Sequence, residues 1–191
     1  DLARRQLAAI AGIAGVLLLL GLAALAAGAE PVVYDAITYR LPRIGAWLQS
    51  GRIEALTTDD FRLNYMPAAP DLVVAWLLGA TADGYRFAAL SQVAGGALAL
   101  GATYGLGRLL GLGAGAAAGG AALLLGMANA GVQFTTLHSD LFTAGIFSAG
   151  YVLWHRAWRR GEGSWIGGVG LVLAVGSKGT VFYLAPGALL W

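Results

Sequence analysis

Long apolar stretches, separated by short charged segments, dominate the chain. A helix needs about 20 apolar residues to cross the hydrocarbon core of a bilayer. On this basis the pattern predicts an all-α fold, a polytopic transmembrane helix bundle, with spans at about 7–28, 87–107, 110–133, 141–158, 164–177 and 179–191. The last apolar stretch is predicted to be two helices meeting near Lys178, because Gly176, Gly179 and Pro186 weaken a continuous helix.

One apolar segment, Leu72–Ala82, decides the predicted topology. It has 11 uncharged residues between Asp71 and Asp83 and reaches only about 16 Å as a helix, roughly half the hydrocarbon core. We therefore predict an interfacial or re-entrant helix within a long outer loop, 29–86. The positive-inside rule supports this, because six arginines then fall on one side: Arg4, Arg5, Arg108, Arg156, Arg159 and Arg160.

The outer loop contains a second helical pattern. Apolar residues recur at helical spacing, and this face comprises Ile37, Leu41, Ile44, Trp47 and Leu48. Arg40, Arg43 and Gln49 are predicted to point away from it. Pro42 suits a first helical turn, and Gly51 suits a C-terminal cap. The simplest interpretation is an amphipathic helix that lies on the outer membrane surface.

Composition agrees with a membrane protein and narrows the chemistry. Charged residues make up 12% of the chain and the mean hydropathy is +0.71, whereas a soluble domain carries about a quarter charged residues. The 30 glycines suit close helix packing in a membrane. With no cysteine, disulfides and thiolate metal sites are excluded, and a net charge of +2 gives no indication of nucleic-acid binding.

Neither end of the sequence has the form of a natural terminus. The chain begins at Asp1 and stops within an apolar run at Trp191. We therefore expect the N-terminal part of a single, longer transmembrane domain.

Two acids are predicted to share one face of the membrane. Asp35 follows the first span, and Asp140 begins the fourth, so exactly two spans separate the loop from Asp140. Acids at membrane depth are expensive and usually functional, and two carboxylates could act as a general base, an acceptor-binding group or cation ligands. The alternatives are an ordinary solvated acid at Asp35 and a helix cap at Ser139–Asp140.

Several basic residues accompany these acids. Lys178 interrupts an apolar stretch, either as a phosphate anchor beside the free N–H groups of a helix start or as a snorkelling lysine. His138 could ligate a metal or titrate. Arg40, Arg43 and Arg62 could bind phosphate, although most loop arginines simply face water or lipid headgroups.

One stretch of the loop resembles a known family. Residues 34–51, YDAITYRLPRIGAWLQSG, are similar to the first outer loop of bacterial GT-C glycosyltransferases, which use polyprenyl-phosphate sugars and are related to protein O-mannosyltransferases and lipid A aminoarabinose transferases. The similarity continues in family order through residues 66–70, MPAAP, 138–141, HSDL, and 177–180, SKGT. Arg40 stands where the family has histidine, and Ser139 where it often has asparagine.

The resemblance implies roles for the candidate residues. Asp35 matches the family's first-loop acid, which is held to activate the acceptor. Asp140 matches the second-loop acid near the same cavity, and Lys178 matches a lysine near the lipid phosphate. Together with Tyr39, Arg40, Arg43 and His138 as substrate-binding residues, they imply an inverting enzyme of a bacterial inner membrane with its active site facing outward.

The implied partners are a polyprenyl-phosphate-linked sugar donor, a glycan, lipid or protein acceptor, and membrane lipids; no cofactor is implied with certainty, and a divalent cation is possible.

Two alternatives stay open: a transporter or lipid flippase, which also needs intramembrane charges, and a non-catalytic membrane scaffold. We expect Asp35 and Asp140 to converge on one outer cavity if the protein is the enzyme.

Overall fold

A computed structural model describes residues 2–30, 33–80 and 84–190, and within them every regular element is helical. The predicted all-α class is therefore confirmed. The α-helices are α1 (Leu2–Gly28), α2 (Leu41–Ser50), α3 (Arg62–Tyr65), α4 (Ala69–Ala80), α5 (Leu90–Leu109), α6 (Ala114–Gly126), α7 (Ala128–Gln133), α8 (Asp140–Trp158), α9 (Trp165–Val175) and α10 (Val181–Leu190). A π-helical turn, Ala36–Arg40, precedes α2, and a 3-10 turn, Gly84–Phe87, precedes α5.

One helix in the described residues is long and apolar enough to cross a membrane, judged by length and composition. It runs from Gly84 through the 3-10 turn to Leu109. Shorter apolar helices occur at Gly12–Gly28, Ala69–Ala80, Ala114–Gly126 and Trp165–Val175. One such helix is weak support for a membrane protein, so the multi-pass bundle stays a prediction.

Close backbone contact between helices holds the second half of the chain together. α8 packs between α5 and α9, and glycines lie where the helices cross. A Cβ atom on Gly145 would collide with the backbone of Gly95, and one on Gly167 would lie 2.6 Å from the backbone nitrogen of Trp154. Glycine is required at these crossings because any side chain would push the helices apart.

The predicted helix over 110–133 is wrong as a single element. The structure has α6 and α7 there, with Met127 extended between them at φ −75° and ψ 119°. Gly126, a poor helix former, ends the first of the two. The break redirects α7 toward the start of α8, where Gln133 makes two hydrogen bonds.

The outer loop folds around a small apolar cluster that joins it to the helices. Ala36, Ile44, Val74, Ala88 and Leu137 are buried together. α4 packs against α2, and its 12 residues give a length of about 18 Å. This is well short of the roughly 30 Å hydrocarbon core, in keeping with a helix that does not span.

A π turn changes which residues of the loop helix are buried. Pro42, in the first turn of α2, has no N–H, and its ring would meet the carbonyl of residue 38 in a regular α-helix. The wider turn accommodates it, as the bond from the Leu41 N–H to the Ala36 carbonyl shows. As predicted, Gly51 caps α2, in the left-handed region at φ 67°.

The predicted amphipathic face is therefore only partly correct. Ile44 and Trp47 are buried, but Ile37 and Leu48 are exposed. Arg40 and Arg43, predicted to point outward, are 3% and 2% exposed. The π turn shifts the phase of the side chains, and pairing with an acid outside this helix makes arginine burial tolerable.

The chain also breaks between α9 and α10, as the glycines around Lys178 predict. Ser164 caps α9, its hydroxyl accepting from the backbone N–H of Gly167 at 3.1 Å. α9 ends at Val175, and Lys178 lies in the short connection before Val181. Pro186 lies inside α10 rather than at a helix end.

Replacing Gly145 by alanine tests the helix crossing. The added methyl group meets the backbone of Gly95, so we expect Gly145→Ala to lower the free energy of unfolding by about 1–3 kcal/mol. Gly120→Ala on α6 is the matched control, because a Cβ atom there meets nothing within 4 Å. Thermal unfolding in detergent measures both; equal melting temperatures for the two variants would contradict this packing.

Candidate active site

The seven predicted site residues line a single cleft of about 160 Å³. The turn before α2, the α3–α4 connection, the α7–α8 connection and the α9–α10 connection form its walls. Its lining consists of Asp35, Tyr39, Arg40, Arg43, Met66, Pro67, His138, Ser139, Asp140, Ser177 and Lys178. Asp35 and Asp140 thus converge on one cavity, which was the arrangement expected of an enzyme. Whether these residues act on a substrate stays a prediction.

Each key side chain occupies the end of a helical element. Asp35 directly precedes the π turn, Asp140 is the first residue of α8, and Lys178 lies between α9 and α10. With Met66 and Pro67, the lining residues come from four separate parts of the sequence. Their side chains meet because α8 packs against α9 and the apolar cluster fixes Leu137 beneath the loop.

Two glutamine side chains, and not Ser139, accept hydrogen bonds from the backbone N–H groups at the start of α8. The side chain of Ser139 makes no capping hydrogen bond. Instead, the N–H of Leu141 donates to Oε1 of Gln133 at 2.9 Å, and the N–H of Phe142 donates to Oε1 of Gln92 at 3.1 Å. This leaves the Asp140 carboxylate available to the cleft, where Nε2 of Gln133 donates to it at 3.3 Å.

Lys178 and Asp140 form an ion pair across the cleft. Their side chains are 41% and 43% exposed. Pairs this exposed contribute little to stability, about 0–1 kcal/mol. Separating the ammonium group from the carboxylate therefore costs little, and either group can exchange its partner for a substrate.

A buried acid, Asp71, organises the opposite wall. Nε of Arg40 donates to its Oδ1 at 2.7 Å, and Nε of Arg43 donates to its Oδ2 at 3.0 Å. Asp71 is fully buried. Because one carboxylate balances two guanidinium groups, this cluster, the Asp71 clamp, carries one excess positive charge beside the cleft.

The arginines of the clamp also bind backbone carbonyl groups. Arg43 donates to the carbonyl of Met66 at 2.7 Å and lies 5.3 Å from the ring centre of Trp47. Arg40 donates to the carbonyl of Leu137. The clamp thus connects the loop helix, the Met66 turn and the segment before α8. The sequence indicated phosphate-binding arginines on an exposed loop, whereas most of their hydrogen bonds go to the protein itself.

Two tyrosine rings, of which Tyr39 belongs to the cleft lining, flank a third arginine. The guanidinium group of Arg62 lies 5.8 Å from the ring centre of Tyr34 and 5.7 Å from that of Tyr39. It also pairs with Asp60 at 2.7 Å, and this hydrogen bond lowers the pKa of Asp60. Burial, followed by the negative charge of Asp35, raises the pKa of Tyr39, so its phenol stays protonated and can donate.

The described part of the chain contains no cluster of metal ligands. No three of its histidine, cysteine, aspartate or glutamate residues lie close enough together to hold an ion. Asp35, His138 and Asp140 all line the cleft, but Asp140 is paired with Lys178. A divalent cation in the cleft therefore stays a prediction.

Comparison with protein-family models, with curated proteins and with solved structures found no match for this chain. The GT-C resemblance therefore depends on the four sequence motifs and on the cleft that they form.

Removing the buried acid should disrupt the site and the loop together. Asp71→Asn leaves two buried guanidinium groups without a counter-charge, which we expect to lower the free energy of unfolding by about 3–5 kcal/mol. Asp59→Asn, at an exposed loop acid, is the control and should have little effect. Denaturant unfolding in detergent measures both, and a similar small loss in each would show that the clamp is not structural.

The protonation of Tyr39 gives a pH-dependent test. Its pKa in the folded protein is raised above the usual 10.0, so folding favours the protonated phenol. The resulting stabilisation is complete below pH 10 and is lost as the pH rises through the folded pKa. We expect the wild type to lose more stability than Tyr39→Phe as the pH rises above 10, measured by thermal unfolding. Parallel curves for the two proteins would contradict this.

Proposed function

We propose that the protein is an inverting membrane glycosyltransferase that moves a sugar from a polyprenyl phosphate to an acceptor hydroxyl. The observation that carries the proposal is the cleft itself, where an acid that makes no ion pair within the described residues, Asp35, shares a 160 Å³ space with Lys178 and Asp140. A base and a phosphate-binding cation are the two groups that this reaction requires.

Asp35 is the general base in this mechanism. The acceptor oxygen attacks the anomeric carbon of the sugar and gives its proton to the Asp35 carboxylate. The bond between the anomeric carbon and the phosphate oxygen breaks, and its electrons leave with the polyprenyl phosphate. Attack opposite the leaving group inverts the configuration at that carbon.

Lys178 stabilises the charge on the departing phosphate. Its ammonium group is half-exposed, and its one ion pair among the described residues is with a similarly exposed acid, so a phosphate can replace Asp140 at small cost. The excess positive charge of the Asp71 clamp lies beside the same cleft and favours the anion further. Asp140, once released, is available to orient the acceptor.

The proposed location is a bacterial inner membrane, with the chain crossing several times and the cleft facing outward. The helix Gly84–Leu109 is long enough to span, and six arginines would lie on the cytoplasmic side. α4 is too short to span, so Asp35 and Asp140 emerge on the same face. A lipid-linked donor would then reach the cleft from within the bilayer.

A transporter or flippase would also use a charged cleft. It would bind the lipid-linked sugar and release it unchanged, without needing a base. The transfer assay therefore separates the two functions.

The test uses full-length protein with a polyprenyl-phosphate sugar donor. We expect Asp35→Asn to lower kcat at least 100-fold, because general base catalysis contributes about 100–10,000-fold, while donor binding changes little. Asp59→Asn is the control for a neutralised loop acid. Undiminished transfer by Asp35→Asn would exclude it as the base, and donor binding without transfer by the wild type would favour the flippase.

A further inference from the structure

A second binding region lies around the connection between α8 and α9. An apolar hollow of about 500 Å³ runs along α9, past Trp165, Gly168, Val172 and Leu173. A second hollow, of about 380 Å³, lies at the connection itself. The two share Trp154, Gly163 and Ser164, so they form one continuous groove, the α8–α9 groove.

The groove changes from apolar to polar along its length. Beyond the α8–α9 connection, a third hollow of about 350 Å³ extends the α8–α9 groove. It shares Trp158 with the second hollow and is lined also by His155, Arg159 and the end of α5. Nη1 of Arg159 donates to the carbonyl of Leu109 at 3.3 Å, which fixes the guanidinium group over this hollow. The apolar end thus suits a hydrocarbon chain and the other end suits a charged group.

Charge decides which molecule fits. The two chain segments that line this end of the groove, 108–110 and 154–164, carry one acid, Glu162, and four arginines, Arg108, Arg156, Arg159 and Arg160. Arg159 and Glu162 line the hollows themselves. The ion pairs found within the described residues involve none of these four. A net excess of positive charge beside the apolar end of the groove is complementary to a lipid with an anionic headgroup.

The aromatic side chains agree with a lipid boundary. Trp158 and Trp165 are 70% and 77% exposed, and tryptophan is enriched at the headgroup level of membranes. The apolar end of the α8–α9 groove, from Trp165 to Leu173, is about 12 Å long. This length accommodates roughly half of an acyl chain. Clusters of basic residues at the cytoplasmic side of helices attract anionic lipids.

We propose that the α8–α9 groove binds an anionic phospholipid, with its phosphate at Arg159 and one acyl chain along α9. This site is separate from the cleft and does not depend on transferase activity. A second protein helix covering α9 would fill the apolar end of the groove but would leave the arginines without an anion. A neutral lipid would use the apolar end alone.

Lipid titration of the full-length protein in neutral detergent, followed by native mass spectrometry, tests the proposal. Dioleoylphosphatidylglycerol should bind more tightly than dioleoylphosphatidylcholine. Arg159→Gln should weaken binding of the anionic lipid about fivefold and leave the zwitterionic lipid unchanged. Arg52→Gln, at an exposed loop arginine, is the control for the lost charge.

The apolar end has its own variant. A Cβ atom on Gly168 would lie 3.6 Å from the Trp154 ring, an ordinary contact, so Gly168→Leu fills this end of the groove without a backbone collision. It should weaken binding of both lipids, and Gly120→Leu on α6 should not. Equal affinity for the two lipids, or wild-type binding by both groove variants, would overturn the proposal. The lipid titration measures binding and not sugar transfer. Its result therefore stands whether or not the glycosyltransferase test fails.

Discussion

The pairing of Asp71 with Arg40 and Arg43 is the interaction on which the site depends. A buried charge is tolerated only when it is paired and hydrogen-bonded. Here one carboxylate pairs with two arginine side chains that would otherwise be more stable in solvent. The arginines in turn bind backbone carbonyls of Met66 and Leu137. Thus a single acid sets the positions of three separate segments of the cleft wall.

The same pairing sets the charge available to a substrate. Asp140 neutralises Lys178, and Asp71 neutralises one of its two arginines. Asp35 and one guanidinium charge remain, on a cleft that is open to solvent. A carboxylate and a cation within one small space are suited to removing a proton from one group while stabilising an anion on another.

The sequence predicted the residues of the cleft better than their interactions. Helix counting placed Asp35 and Asp140 on one face, and the break at Lys178 follows from its glycines. Asp71 was noted only as the polar boundary of a short helix, because its partners lie 28 and 31 positions away along the chain and no local pattern reports such a pair. The burial of Arg40 and Arg43 could not be predicted for the same reason, and the π turn moves Ile37 out of its predicted face.

The start of α8 shows a related limit. Ser139 has the residue type of a helix cap, yet Gln92 and Gln133 perform that function from other elements. The available signal was Gln92, which with Ser91 is among the few polar residues of α5, since a buried amide requires a partner. Which backbone group it would reach depends on how α5 packs against α8, and glycine spacing alone does not determine that packing.

The most direct measurement is an experimental structure of the full-length protein with a non-reactive polyprenyl-phosphate sugar bound. We expect the phosphate against the ammonium group of Lys178, with Asp140 released from its ion pair and Asp35 facing the anomeric carbon. A phosphate bound away from the cleft, with the Lys178–Asp140 pair still closed, would contradict this expectation.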